Sequence, residues 1–510
     1  MTAMITPVAN EARPWLLGDD SEWTLLFAAA RDAQLSWAQQ TPARRVAILR
    51  RLGPILAARM DEICALVVDE NGKPEVEAIS HEIGACIGCV SHLGSHAVEI
   101  LAGRRETNTW LPFRLATVTP RAIGAVLIIA PWNMPLVIPF TQAVTALAAG
   151  NAVVLKPSEV TPRVGQLVGD LMVEAGLPAG LFTVVQGDGK TGAALVAARP
   201  DKVFFTGSVA TGRTVMAAAA AHPVPVCLEL GGVDAMIVRP DANLEFAVSA
   251  ATWGALFNGG QVCASVERLL VSRDISDAFT SRLVDRIAQL DPARDLGRIT
   301  FAGQRRVYDR HLADARARGL TIVCGGAYLS SDKLAPTVIV GEGIEDALVW
   351  REESFGPIVA LSTFRGDDDA IAKHNASPCG LTASIFSEDA AAADRMATRL
   401  DVGSVSINDV AAALYARPEL PWGGRGESGF GSSHGREGLL AFTRPHVIDR
   451  PTIAGLDFKR PWWFPYDHHQ LAAMRELALA MAAGASADRL SRMSKLGRHV
   501  LSQLANRPRL

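Results

Sequence analysis

Between Arg121 and Lys156 the 510-residue chain carries no charged side chain, so whatever this run becomes must be shielded from water or placed in lipid. A bilayer span needs only about 20 apolar residues, and length alone permits one. Pro131, Pro135 and Pro139, with Trp132-Asn133 between the first two, interrupt the run in its middle, because proline lacks a backbone donor and breaks a helix interior. The first half, IGAVLIIA (123–130), is short and β-branched. The run reads as a buried strand, a loop and a buried helix inside a soluble protein.

The same alternation continues downstream. Apolar runs AVVLK (152–156), LFTVV (181–185), KVFF (202–205) and VPVCLEL (224–230) are separated by helical windows such as TPRVGQLVGDLMVEAG, which opens on Thr161-Pro162 and stops at Gly176. Strands apolar on both faces, joined through helices, predict a parallel sheet covered on both sides, an α/β fold. Residues 24–72 read as helical, with Thr41-Pro42 as an N-cap and first-turn proline. A second α/β stretch runs from about 231 to 420 and includes LLVSR, TIVCGG, APTVIV and ASIFS. From 455 the chain changes character, opening on PWWFPY (461–466) and then turning helical and basic.

At 49% apolar and 20% charged residues the chain is too hydrophobic for disorder, and a net charge of -3 leaves no global basic footprint for nucleic acid. The N-terminal stretch lacks the basic-then-apolar order of a secretory signal. Seven cysteines, odd in number, suit free thiols in a reducing cytoplasm. Cys86 and Cys89 form a C-x-x-C followed by His92 and His96. No second cysteine pair accompanies it, so the stretch reads as a helix over 81–101 placing small residues in a core, with no metal.

Two loops could cradle a phosphate. GDGKTG (187–192) matches G-x-G-x-x-G after a strand but lacks the acidic residue expected about 20 residues later. Phe205-Thr206-Gly207-Ser208 also follows a strand and opens a helix, whose free N–H groups suit an anion. The spacing leaves both open. Three residues point to chemistry. Cys263 in FNGGQVCAS is flanked by small residues that allow close approach to an exposed nucleophile. Glu229 in LELGG ends an apolar strand, where burial raises a carboxyl pKa toward that of a general base. Asn133, in an apolar loop, carries an amide able to donate to an oxyanion. Together they suggest covalent acyl chemistry coupled to a nucleotide.

The motifs PWNMP (131–135), GNAVVLKPSE (150–159), FTGS (205–208), LELGG (228–232), GGQVCAS (259–265), EESFGP (352–357) and PWGGRGESGFG (421–431) occur in the order and approximate spacing of the aldehyde dehydrogenase superfamily, which the chain resembles from about 24 to 450. The resemblance implies a modified Rossmann cofactor domain (1–110 and 131–230), a catalytic α/β domain (231–420), a bridging β element for oligomerisation (111–130 and 421–454) and a C-terminal tail (455–510). It implies Cys263 as nucleophile, Glu229 as general base, and Asn133 with the Cys263 N–H as oxyanion hole. Lys156 and Glu159 would meet the adenine ribose, with Ser158 beside them, and the pyrophosphate would lie near Gly207 and Ser208. Gly189 would border the adenine end. Glu353 and Phe355 would hold the nicotinamide riboside, with Trp132 and Leu230 also on the cofactor. Glu159 disfavours a 2′-phosphate, so NAD is preferred, with NADP the alternative. The Glu229 carboxylate favours water over coenzyme A as acyl acceptor.

Met134, Ile138, Val262, Ala264 and Trp422 are the implied walls of the aldehyde pocket; none is charged, which favours an apolar or aromatic aldehyde. CoA-acylating or reductive use of the same chemistry is the enzymatic rival, and a catalytically silent binding member the rival of another class. The resemblance further implies a homodimer or homotetramer. From Gly455 onward nine Lys and Arg face four Asp and Glu, and Leu490, Met493, Leu496, Val500, Leu501 and Leu504 share a helical face beside Arg489, Arg492 and Lys495. That stripe is expected to pack on the protein's own body or a partner subunit; peripheral contact with an anionic membrane is the second reading.

Overall fold

A computed structural model describes residues 5–7, 20–107, 114–452, 462–464, 466, 468–483 and 491–498. The uncharged run folds as strand Ala125–Ile129, a turn, helix Val137–Ala149 and strand Ala152–Lys156. Every residue of those three elements is buried, which is why no charge is tolerated there. Gly150 ends the helix at φ +100°, a conformation that favours glycine. The Asn151 side chain then accepts from the Ile123 and Gly124 N–H groups at 2.7 and 3.0 Å and so ties the return strand to the start of the first.

These strands sit in the middle of a seven-stranded sheet ordered Ile5–Pro7, Phe182–Val185, Ala152–Lys156, Ala125–Ile129, Lys202–Gly207, Val226–Leu230, Gly429–Phe430. The five central strands are parallel and the two edges antiparallel. The chain works outward from Ala125–Ile129 on one side and then restarts on its other side at Lys202–Gly207. Such a reversal opens a crevice beyond the carboxyl ends of the strands. Four helices follow the sequence signals closely: Pro42–Leu49 is capped by Thr41, Pro162–Glu174 starts after Thr161, Gly189–Ala197 is capped by Asp188, and Val209–Ala220 is capped by Ser208.

A second seven-stranded sheet is ordered Thr321–Cys324, Thr337–Val340, Ile358–Phe364, Val266–Ser272, Asp234–Val238, Thr382–Phe386, Ser404–Ile407, parallel except for its first strand. Cys263 and Glu353 stand just before the neighbouring parallel strands Val266–Ser272 and Ile358–Phe364, which brings two loops distant in sequence side by side.

The helix expected over 81–101 begins earlier. Its α-helical part Ala85–Leu101 continues a π-helical stretch, Ala78–Gly84, and a turn at Glu75–Glu77. This 27-residue stretch is the one described helix long and apolar enough to cross a membrane. Here it packs on helices Pro42–Leu49, Leu52–Ala58 and Val137–Ala149, with Cys86, Cys89, Val90, Leu93, Ala97 and Leu101 in the main core. His92 and His96 stack at 4.6 Å, and among the described residues no cluster of three His, Cys, Asp or Glu side chains is placed to hold a metal.

The chain divides into one unit of 1–103 and 119–446 and another of 104–118 and 447–510. Arg104–Thr107, Arg114–Ala122 and Thr443–Pro451 form a three-stranded sheet in that order. The expected bridging range 111–130 is therefore corrected: Ala125–Ile129 belongs to the centre of the first sheet, where its apolar side chains are wholly buried, and 421–442 belongs to the larger unit. In the smaller unit, helix His468–Ala482 is anchored by Gln470 donating to the Trp463 carbonyl at 2.9 Å. A helix also covers 491–498, with Met493 exposed and Leu496 half-buried. Leu490, Val500, Leu501, Leu504, Arg489 and the two prolines of PWWFPY lie outside the described residues.

Candidate active site

A cleft of about 600 Å³ opens at the carboxyl ends of the first sheet. It gathers Asn133, Glu229 and Cys263 with Trp132, Lys156, Ser158, Glu159, Gly189, Gly207, Ser208, Leu230, Glu353 and Phe355. Asn133 follows strand Ala125–Ile129, Lys156 ends Ala152–Lys156, Gly207 ends Lys202–Gly207 and Leu230 ends Val226–Leu230. Of the pocket-wall residues, Ile138 lines this cleft, and Trp422 lines a small cavity that also touches Cys263. Met134, Val262 and Ala264 do not reach either wall; they are buried in the cores, and the Met134 sulfur is turned to the Lys73 ammonium at 3.1 Å.

The loop carrying Asn133 is held from beneath by side chains that the sequence reading did not single out. Three donors converge on the Asn133 carbonyl: Asn258 Nδ2 at 2.9 Å, Lys73 Nζ at 3.1 Å and Asn71 Nδ2 at 3.2 Å. Lys73 also pairs with Glu82 at 2.6 Å, both side chains fully buried. Glu82 accepts the Leu136 and Val137 N–H groups at 3.1 and 2.7 Å, filling the otherwise unpaired start of the following helix. With its backbone pinned, Asn133 directs Nδ2 to the Gln261 carbonyl at 2.9 Å, two residues before Cys263. A signal for this was present in NGKP: a lysine flanked by apolar helices is costly to bury unless it is paired.

The nucleophile loop is a tight one. Asn258, Gly259 and Gly260 all have positive φ, and a Cβ on Gly260 would meet the Gly356 carbonyl at 2.2 Å. Only glycine lets the Cys263 and Glu353 loops approach so closely. Cys263 is a free, partly exposed thiol. Burial of its sulfur raises its pKa, and the carboxyls of Asp234, Glu353 and Glu229 raise it further. Glu229 is buried, and neither carboxyl oxygen has a partner among the described residues; desolvation pushes its pKa well above the usual carboxylate range. Burial thus disfavours the charged form of both the thiol and the carboxyl.

Glu353 accepts the Gly232 N–H at 3.2 Å, and burial pushes its pKa up to about 8. Its loop is fixed by Glu267, a buried acid absent from the sequence reading, which accepts the Ser354 and Phe355 N–H groups at 2.7 Å each. Phe355 is held at φ +51° and meets the Trp132 ring edge-on at 5.4 Å. At the far end Lys156 Nζ contacts Glu159 at 3.3 Å and the Pro157 carbonyl at 2.8 Å, and burial lowers its pKa.

The two candidate phosphate loops differ physically. Asp188 caps helix Gly189–Ala197 by accepting the Lys190 and Thr191 N–H groups at 2.9 and 3.3 Å, so a carboxylate already occupies that helix start and repels a second anion. Helix Val209–Ala220 is capped by the neutral Ser208 hydroxyl, which accepts from the Thr211 N–H at 3.3 Å. Its positive end remains open to a pyrophosphate. A Cβ on Gly189 would meet nothing within 4 Å, so the bare backbone there leaves cleft space that a flat ring can fill. The donor set and the cleft therefore fit a dinucleotide running from Lys156 and Glu159 past Ser208 to Glu353.

The aldehyde dehydrogenase family model matches residues 13–448. A 4,4'-diapolycopene aldehyde oxidase of a Methylomonas species is 41% identical over 445 residues, covering 86% of this chain and 83% of that relative. A crystal structure of an NAD-dependent aldehyde dehydrogenase from Sinorhizobium meliloti superposes with TM-score 0.82 at 32% identity, covering 88% of this chain and 89% of that one. Betaine aldehyde dehydrogenase from Staphylococcus aureus, solved in complex with NAD+, superposes with TM-score 0.81 at 29% identity, covering 90% and 94%.

Proposed function

This chain belongs to the aldehyde dehydrogenase family and is an aldehyde-oxidising oxidoreductase; we propose that it oxidises an apolar aldehyde to the carboxylic acid, with NAD as acceptor and Cys263 as the covalent nucleophile. The observation that carries this reading is the convergence of Cys263, Glu229 and Asn133 in one cleft with the dinucleotide-fitting residues. NAD is favoured over NADP because the Glu159 carboxylate stands at the Lys156 end, where a 2′-phosphate would meet like charge. NAD bound there supplies the two-electron acceptor for the oxidation.

The chain's own residues account for the remaining steps. The Cys263 thiol passes its proton to solvent water as its sulfur adds to the aldehyde carbon, and the carbonyl oxygen becomes an oxyanion. The Asn133 amide, pre-aimed by its clamped backbone, donates to that oxygen. Oxidation of the same carbon leaves an acyl group on Sγ as a thioester. Glu229 then takes a proton from water, the water oxygen bonds to the acyl carbon, the C–S bond breaks with its electron pair on sulfur, and Glu229 returns the proton to the thiolate as the acid is released. A base placed beside the sulfur favours this hydrolysis over transfer to coenzyme A.

The apolar substrate is supported by Ile138 on the wall of the cleft that holds Cys263 and by the resemblance to an enzyme named for an apolar aldehyde. The test is NADH formation across long-chain, benzylic, betaine and succinic semialdehydes, with and without coenzyme A. Preference for long-chain or benzylic aldehydes without CoA is expected; preference for succinic semialdehyde refutes the substrate class, and thiol-independent or absent turnover refutes the enzyme reading. We also propose a homo-oligomer, supported by the exposed Val447 and Ile448 on the outer strand of the three-stranded sheet; light scattering in solution checks it. For the tail we propose contact with an anionic membrane surface, supported by exposed Trp462, Trp463, Phe464 and Tyr466 beside a basic composition and testable by liposome flotation with and without residues 455–510.

A further inference from the structure

A cavity of about 10 Å³, room for a single water, lies against Cys263 and Glu229 and is lined also by Gln142, Thr206, Tyr415 and Ser433. Buried polar atoms normally find partners, and each exception calls for a ligand or an ordered water. Around this one cavity Glu229 Oε1 and Oε2, Gln142 Oε1, Tyr415 Oη and Ser433 Oγ all lack a partner among the described residues. The Thr141 hydroxyl lies beside the phenol and gives its own proton to the Val137 carbonyl at 2.7 Å.

We propose that this cavity holds the water that hydrolyses the Cys263 thioester, with Gln142 and Tyr415 as its positioning residues, an inference that rests on the hydrolytic reading above.

The donor and acceptor inventory matches one water. Gln142 gives its Nε2 to Thr206 Oγ1 at 3.0 Å, so its Oε1 can only accept. Glu229 and Gln142 are thus acceptors for the two water protons, and the Tyr415 hydroxyl is the donor to the water oxygen. One lone pair is left to attack the acyl carbon on Cys263. As it does, one proton passes to the Glu229 carboxylate, the C–S bond breaks, and the sulfur leaves with the bonding pair. The phenol is rigidly set for this. Its ring packs edge-on against Trp422 at 5.2 Å and against His434 at 4.6 Å, and Trp422 and Ser433 are locked by backbone bonds of 2.7 and 2.8 Å. Burial pushes the His434 pKa down to about 4, so a neutral ring supports the phenol.

Tyr415→Phe keeps the ring packing and removes only the hydroxyl; Gln142→Met keeps volume and removes the acceptor. Each full-length variant is mixed with NAD and the best aldehyde found for the wild type, and NADH is followed through the first turnover while intact-mass spectrometry reports acyl-enzyme. The first-turnover rate is expected to stay at the wild-type value. The steady-state rate should fall about 5- to 10-fold for each variant, the size expected for one lost hydrogen bond, and acyl-enzyme should accumulate. An unchanged steady-state rate, or first-turnover and steady-state rates falling together, overturns the proposal. A change in aldehyde KM that depends on chain length also overturns it, because the cavity would then house the acyl group. Absence of any acyl-enzyme in wild type and variants alike would instead refute the thioester reading itself.

Discussion

Replacing Lys73 by Met, alone and together with Glu82→Gln, isolates what the buried pair beneath Asn133 contributes. Both side chains are fully buried and 2.6 Å apart. Removing either partner strands the other as an unpaired buried charge, a loss of about 3–5 kcal/mol for each single variant. In the double variant both charges of the pair are gone, and the glutamine oxygen can still accept the Leu136 and Val137 N–H groups that Glu82 now holds. Its loss reduces to the ammonium's hydrogen bond to the Asn133 carbonyl, about 1.5–3 kcal/mol. Two singles that sum to roughly 6–10 kcal/mol and a double near 2 imply a coupling energy of about 4 kcal/mol or more, read from urea unfolding of the four proteins.

The double variant then separates stability from catalysis. The Asn133 carbonyl keeps its donors from Asn258 and Asn71, so the loop stays in place but is held less tightly. A misplacement of about 1 Å can cost about 100-fold in rate, and a smaller shift of the oxyanion donor should lower kcat/KM about 10- to 100-fold. NAD affinity should not move, because Lys73 and Glu82 lie outside the cleft. A double variant as unstable as the singles would show that the two charges are not a neutral unit. A stable double with wild-type kcat/KM would show that the clamp does not aim Asn133.

Asn133→Ala removes the oxyanion donor and should lower kcat about 10²–10³-fold, with NAD binding by calorimetry retained. For Glu229 the sign follows from its raised pKa: the folded state holds the proton more tightly than the unfolded state, so stability falls as pH rises above the unfolded value toward the folded one. Glu229→Gln should therefore match wild type in Tm at pH 4 and exceed it at pH 8, and equal Tm differences at both pH values would refute the burial argument. Because the Cys263 thiol and the Glu229 carboxyl are both shifted upward, kcat/KM should climb from pH 6 to pH 9, and a flat profile would contradict those upward shifts. Glu267→Ala strips the acceptor from the Ser354 and Phe355 N–H groups; KM for NAD should rise about tenfold while kcat at saturating NAD changes little.

The chain's local order was legible wherever a residue's role depends on its near neighbours. The prolines at 131, 135 and 139 and the absence of charge announced a buried strand, loop and helix, and that is what 125–149 became. Thr41, Thr161 and Gly176 marked helix ends because capping is settled within a turn of chain. Cys263, Glu229 and Asn133 stood out as reactive side chain types in apolar surroundings. Less legible were the boundaries of the bridging element, since strand Ala125–Ile129 joins a sheet whose partners begin 27 and 77 residues later, and the wall residues Met134, Val262 and Ala264, whose direction is set by packing.

The sequence by itself determined the α/β alternation, the family and the side chains able to do chemistry, because each rests on residue type and short-range order. Tertiary structure alone decided which groups act on which. The Asn133 carbonyl gathers donors from residues 60 to 125 positions away, Glu267 fixes a loop 87 positions on, and Gln142 and Tyr415 meet at a one-water cavity beside Glu229. A buried polar atom must be satisfied by whatever the fold brings within about 3 Å, and that distance is not written along the chain.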